Sequence, residues 1–92
     1  ILKVNIIKIM NSTIIFTCSH IHKDNYKVGD NIKIINNTTY TLYNLLQEPL
    51  KIKKIQDNLI YCRLQEKYEE MTYDNIDMKI MNMSNQNIIY FN

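Results

Sequence analysis

The chain has 92 residues, 46% of them hydrophobic and 22% charged, with a formal net charge of +2. That is enough apolar material for one modest core, too much for a disordered chain, and too short a chain for a second domain of ordinary size. Lys or Asn interrupts every Ile cluster, so no run approaches the roughly 20 apolar residues of a spanning helix, and the chain reads as soluble.

Taken from the start, residues 2–9 are rich in β-branched side chains, and Lys3, Asn5 and Lys8 inside them argue against a secretory signal. Between Asn11 and His20, the residues Ile14, Phe16 and Cys18 share one parity and Thr13, Ile15 and Thr17 the other, the mark of a strand. Met10, Asn11 and Ser12 lie between these two segments, which predicts a hairpin turning there. The polar stretch from His22 leads to Gly29, the only glycine, where a tight turn needing positive φ is expected. A strand from Asp30 to Ile35 follows, with Ile32 and Ile34 inward and Lys33 outward. Asn36 and Asn37 turn the chain into a Thr- and Tyr-rich strand from Thr38 to Leu45, and Pro49 marks a boundary. Strands at Lys51 to Ile55 and Asn58 to Leu64 surround Gln56 and Asp57 as a second hairpin. From Gln65 to Asp77 the carboxylates Glu66, Glu69, Glu70, Asp74 and Asp77 dominate, and with Tyr68 and Met71 at helical spacing the segment reads as a short helix or loop. Met78 to Met83 and Asn87 to Phe91 are again β-like. The fold class is therefore all-β, a small barrel of the oligonucleotide-binding type over residues 1–64, with residues 65–92 an acidic C-terminal extension packed on the same domain. A sandwich is the alternative architecture. Closure suits so Ile-rich a sheet because it removes exposed edges. Ile14, Phe16, Ile32, Ile34, Leu42 and Ile60 are the expected core.

Catalytic constellations find little support. A single glycine cannot build a phosphate cradle, no Ser sits on a strand-turn-helix elbow, and the carboxylates cluster in a solvated stretch rather than pairing in a pocket. Cys18, His20 and His22 share a strand face, and Cys62 could complete a zinc tetrahedron, but the spacing matches no usual ligand pattern, and the two cysteines read as free and buried. We therefore expect no enzyme, no metal, no cofactor, no membrane partner and no small-molecule substrate. Charge is more informative. Up to Arg63 there are nine Lys and Arg against four Asp and Glu, and beyond it two against five. Lys8, Lys23, Lys27, Lys33 and the cluster Lys51, Lys53 and Lys54 are candidates for phosphate contacts, with Tyr26, Tyr40, Tyr43 and Tyr61 available to stack on bases. The acidic stretch from Glu66 to Asp77 is expected to avoid RNA and to face solvent or a basic protein.

The order of short motifs carries a resemblance. The run Lys8-Ile9-Met10-Asn11-Ser12-Thr13-Ile14-Ile15-Phe16 is similar to the first hairpin, Asp-Lys-Met-x-Lys-Thr and apolar β residues, of bacterial-type small-subunit ribosomal protein seventeen. His22-Lys23-Asp24 is similar to its His-Asp-Glu, Val28-Gly29-Asp30-Asn31-Ile32-Lys33-Ile34 to its apolar-Gly-Asp-x-Val-x-Ile, and Tyr40 to Leu46 to its closing aromatic strand. The resemblance covers the first half of the chain. It departs at Ser12, where the family has Lys, and at Asn36-Asn37-Thr38-Thr39, which replace a basic segment. It implies an oligonucleotide-binding barrel holding ribosomal RNA beside neighbouring ribosomal proteins of the small subunit. One Arg, one Gly, one Pro and no Ala indicate an AT-rich genome, which places the expected ribosome in an organelle, a plastid, an apicoplast-like body or a mitochondrion. The rival expectation is a β-module of a large DNA virus capsid or minor virion protein that binds protein partners.

Overall fold

A computed structural model describes residues 2–21, 24–35, 48–74 and 78–84. Within them lie five strands, β1 (Leu2–Cys18), β2 (Asn31–Ile35), β3 (Leu50–Gln56), β4 (Leu59–Tyr73) and β5 (Met78–Asn82). They close into a barrel in the order β1-β4-β3-β2-β5. The small all-β barrel expected from the alternation of apolar residues is what the chain forms. The strand expected at Thr38 to Leu45 and the run at Asn87 to Phe91 lie outside the described residues, as does Leu42.

All five pairings are antiparallel. Five straight strands cannot close that way, because an odd number of reversals leaves the last strand pointing the wrong way against the first. The long β1 resolves the conflict by bending. Its 17 residues, fully extended, would span about 50 Å at roughly 3.3 Å per residue. Yet the Ser19 amide donates to the Lys3 carbonyl at 3.2 Å, and Asn5 Nδ2 lies 3.2 Å from Ser19 Oγ. The strand thus curls until its ends meet. Residues 2–4 pair with β5, and residues 7–17 pair with β4.

Sequence reasoning expected a hairpin turning at Met10 to Ser12. The structure corrects this to one continuous strand that bends, whose two halves ladder with β5 and β4 rather than with each other. Asn11 sits at φ 54 with register shifts on both sides, a residue type that tolerates the left-handed region. The inward parity slips with the bends: Leu2 and Val4, then Ile7 and Ile9, then Ile14, Phe16 and Cys18 are buried. The second slip is what a bulge at Asn11 does to a strand with a period of two, and the first falls where β1 passes from pairing with β5 to pairing with β4.

The acidic segment is a second correction. Residues 65–73 are neither helix nor loop but the second half of β4. Tyr68, Met71 and Tyr73 pack against the core, opposite Asn11, Ile9 and Ile7 of β1. The pairing edge of β1 satisfies this backbone, which overrides the weak helical spacing of Tyr68 and Met71. The division expected at 64/65 therefore marks no structural break, since β4 runs through it and β5 closes the ring between β1 and β2.

Ile14, Phe16, Ile32 and Ile60 are fully buried and Ile34 nearly so, while Lys33 is exposed, as the strand parities predicted. The β3–β4 hairpin also forms as expected, turning through Asp57 at φ 53. Gly29 adopts φ 95 in the turn before β2. That turn is locked in place by backbone bonds from Gly29 N to Ile52 O and from Ile52 N to Asp30 O. Tyr26 plugs into the core, where its hydroxyl donates to the Ile80 carbonyl at 3.2 Å. Asn82 is the one buried polar side chain among the described residues. Its Nδ2 donates to the Asn25 carbonyl and to Asp30 Oδ2, and its Oδ1 accepts from the Ser84 amide.

Candidate nucleic-acid interface

Consider first the basic cluster on β3. Strict alternation in Ile52-Lys53-Lys54-Ile55 would turn one of the two lysines inward. The register shift between Ile52 and Lys54 avoids this, and Lys51, Lys53 and Lys54 are all exposed. Their surroundings differ. Lys53 Nζ reaches across β4 to donate to Thr13 Oγ1 of β1 at 2.8 Å. Lys54 Nζ lies 5.1 Å from the centre of the Tyr61 ring, a cation–π contact that holds the charge over the sheet. Lys51 is paired in register with Asn31 and points into solvent.

The remaining expected contacts are scattered. Lys33 is exposed on β2, and Lys27 is exposed in the turn before Gly29. Lys8 makes an ion pair with Glu70 at 3.5 Å, so part of its charge is answered within the chain. Lys23, Tyr40 and Tyr43 lie outside the described residues. Tyr26 was expected to be free for stacking and is not. It is 4% exposed, because its ring joins the core and its hydroxyl is held by the Ile80 carbonyl.

Three further basic residues complete a pattern that chain order does not reveal. Lys3 of β1 stands directly opposite Lys79 of β5. Lys79 faces Ile35 and Lys33 faces Met81 across the β5–β2 ladder, so Lys33 is the diagonal neighbour of Lys79. Lys51 is in turn diagonal to Lys33, through the pair Asn31–Lys51. Arg63 and Lys51 flank the pair Ile52–Cys62 on the outer face. Each strand thus contributes an outward cation to one belt, Lys3–Lys79–Lys33–Lys51–Arg63. All five are exposed, and among the described residues none has a carboxylate within 4.0 Å. Like charges opposed across a ladder destabilise a sheet, so the belt is built at some cost to the fold. Glu69 and Glu70, on the far half of β4, and Asp74, just beyond its end, lie apart from it.

A cleft of about 470 Å³ opens beside the belt. It forms where β4 passes beyond its last pairing with β3, at Cys62, and continues against β1 alone. Lys51, Arg63, Glu48, Glu66, Asn31 and Tyr68 are among its lining residues.

The cysteines belong to the core. Both are buried and free, and burial pushes each thiol up to about 12; at Cys62 the neighbouring Cys18 adds to the rise and Lys53 opposes it. The Tyr26 phenol is also pushed up to about 12 by burial, with Cys18 adding to the shift. His20 is exposed and His22 lies outside the described residues. Among the described residues no three His, Cys, Asp or Glu side chains come together as a metal site, and no helix is long and apolar enough to cross a membrane. No family model, no curated protein and no solved structure matches this chain.

Proposed function

We propose that the protein is a structural RNA-binding barrel, acting in an organellar small ribosomal subunit against ribosomal RNA and neighbouring proteins. The belt Lys3–Lys79–Lys33–Lys51–Arg63 carries the reading. Cations without carboxylate partners, repeated on every strand, are what a phosphate backbone rewards through counterion release. The belt follows the curved outer wall from β1 across β5, β2 and β3 to β4, so one straight duplex cannot touch all of it. Folded RNA that packs on more than one side of a small barrel can. The carboxylates Glu69, Glu70 and Asp74 would then lie toward solvent or a basic neighbour.

Binding to a structured RNA, measured across a range of salt concentrations, tests this. Substituting the belt residues Lys33, Lys51 and Lys79 by Gln together leaves the fold intact by circular dichroism, because all three side chains project outward. It lowers the slope of log affinity against log salt by up to about 0.9 for each phosphate that is no longer neutralised. Parent-like binding of the triple variant at every salt concentration would overturn the assignment. Salt-tolerant self-assembly or protein binding in its place would favour a virion β-module instead.

A further inference from the structure

We propose that the cleft between β3 and β4 receives a single unpaired nucleotide whose base carries an exocyclic amino group. The inference rests on the RNA-binding reading and adds a specific pocket to it. Belt cations alone hold any phosphate backbone equally, so they give affinity without base preference. The cleft is different in kind. Its volume of about 470 Å³ lies within the range of small-ligand sites, which admits one nucleotide and excludes a duplex.

Its chemistry narrows the occupant. Two cations, Lys51 and Arg63, are matched there by two carboxylates, Glu48 and Glu66, so the four formal charges cancel. A polyphosphate or a run of backbone gains little from such a site. A nucleotide with one phosphate and a neutral base fits better, with the phosphate on the cations that continue the belt. The carboxylates accept hydrogen bonds and donate none when ionised. They pair with the amino group of cytosine, adenine or guanine, and guanine adds a ring N–H beside its amino group. Uracil has no amino group, and its one ring N3–H on that edge is flanked by two carbonyl oxygens that an ionised carboxylate repels. Tyr68, half-buried against the core and among the residues lining the cleft, supplies an aromatic surface for the base. Its backbone is held by the pairing with Asn11 of β1, so the ring is positioned before RNA arrives. Glu66 was expected to belong wholly to a surface that RNA avoids; here it selects a base while Glu69 and Glu70 remain outside the cleft.

The test uses the full chain and a set of RNA hairpins identical except for one bulged nucleotide, together with the fully paired parent hairpin. We expect hairpins bulged with guanine, cytosine or adenine to bind at least about fivefold more tightly than the paired hairpin or the uracil bulge, one well-made base contact being enough. Tyr68→Leu removes that preference and Tyr68→Phe, which keeps the ring, retains it, whereas Arg63→Gln weakens binding of every hairpin and leaves the base ranking in place. The double variant Glu48→Gln, Glu66→Gln gives a readout of opposite sign. With two negative charges gone it binds every hairpin more tightly than the parent does, but the gap between uracil and the amino-bearing bases closes. Equal binding of all bulges and the paired hairpin by the parent overturns the proposal, and so does an unchanged base ranking in the double carboxylate variant. A complete lack of RNA binding would instead defeat the broader reading, and this one with it.

Discussion

Replacing Lys79 by Glu separates a functional belt from an ordinary solvated surface, because stability and binding should move in opposite directions. In the folded protein Lys79 stands opposite Lys3 across the β1–β5 ladder, with no carboxylate partner among the described residues. Lys79→Glu converts a like-charge pair into an opposite-charge pair, and cross-strand pairs of the right sign contribute roughly 0.2–1 kcal/mol each. Removing the repulsion adds a similar amount, but both side chains are exposed, so solvent screening brings the expected gain down to about 0.5–1 kcal/mol. For a chain of this size that corresponds to a rise in Tm of about 2–8 °C. Urea unfolding should show it as a higher midpoint with unchanged slope, since the surface exposed on unfolding is the same. Binding to structured RNA should weaken, with a shallower salt dependence by up to about 0.9 if Lys79 neutralises one phosphate. High salt should shrink the stability gain and the binding loss together. A variant that is less stable than the parent would refute the pairing of Lys3 with Lys79. A more stable variant with unaltered RNA binding would refute the functional role of the belt.

Three more outcomes follow from the interior. Asn82→Leu keeps side-chain size but leaves the Asn25 carbonyl and the Ser84 amide without this partner, and chemical denaturation should show a loss of about 1–3 kcal/mol, with faster amide exchange in the turn at residues 24–30. A Cβ added at Gly29 has nothing within 4 Å, so the loss of about 1–2 kcal/mol expected for Gly29→Val comes chiefly from backbone strain at φ 95. Gly29→Asn should cost less than Gly29→Val in the same urea titration, and equal costs would argue against a left-handed turn. Cys18 and Cys62 have ordinary thiol values near 9.0 when unfolded and about 12 when folded, so above pH 9 the unfolded chain releases protons that the native state retains. Stability is then full below pH 9 and falls progressively toward pH 12, and thermal melts of the Cys18→Val, Cys62→Val variant should show a flatter alkaline limb than the parent.

The strands themselves are legible in the chain because their cause is local. Alternation at Ile14, Phe16 and Cys18, at Ile32 and Ile34, and at Ile60 and Cys62 follows from a period of two, and the buried set reproduces it. Gly29 could be placed in a turn from its identity alone, and its φ agrees. Clustering along the chain likewise marked Lys51, Lys53 and Lys54. What local pattern could not supply is how strands meet. Whether Met10 to Ser12 closes a hairpin or bends one long strand depends on what each half pairs with, and β4 and β5 lie some fifty or more residues further on. The acidic run after Leu64 has side chains suited to a solvated helix or loop, yet the free edge of β1 draws its backbone into a ladder. Lys3, Lys79 and Arg63 each look like an isolated surface charge in the sequence. Only the ring order and register bring them beside Lys33 and Lys51, because the belt crosses ladders between residues distant in sequence, and no spacing along the chain encodes a neighbour across a strand.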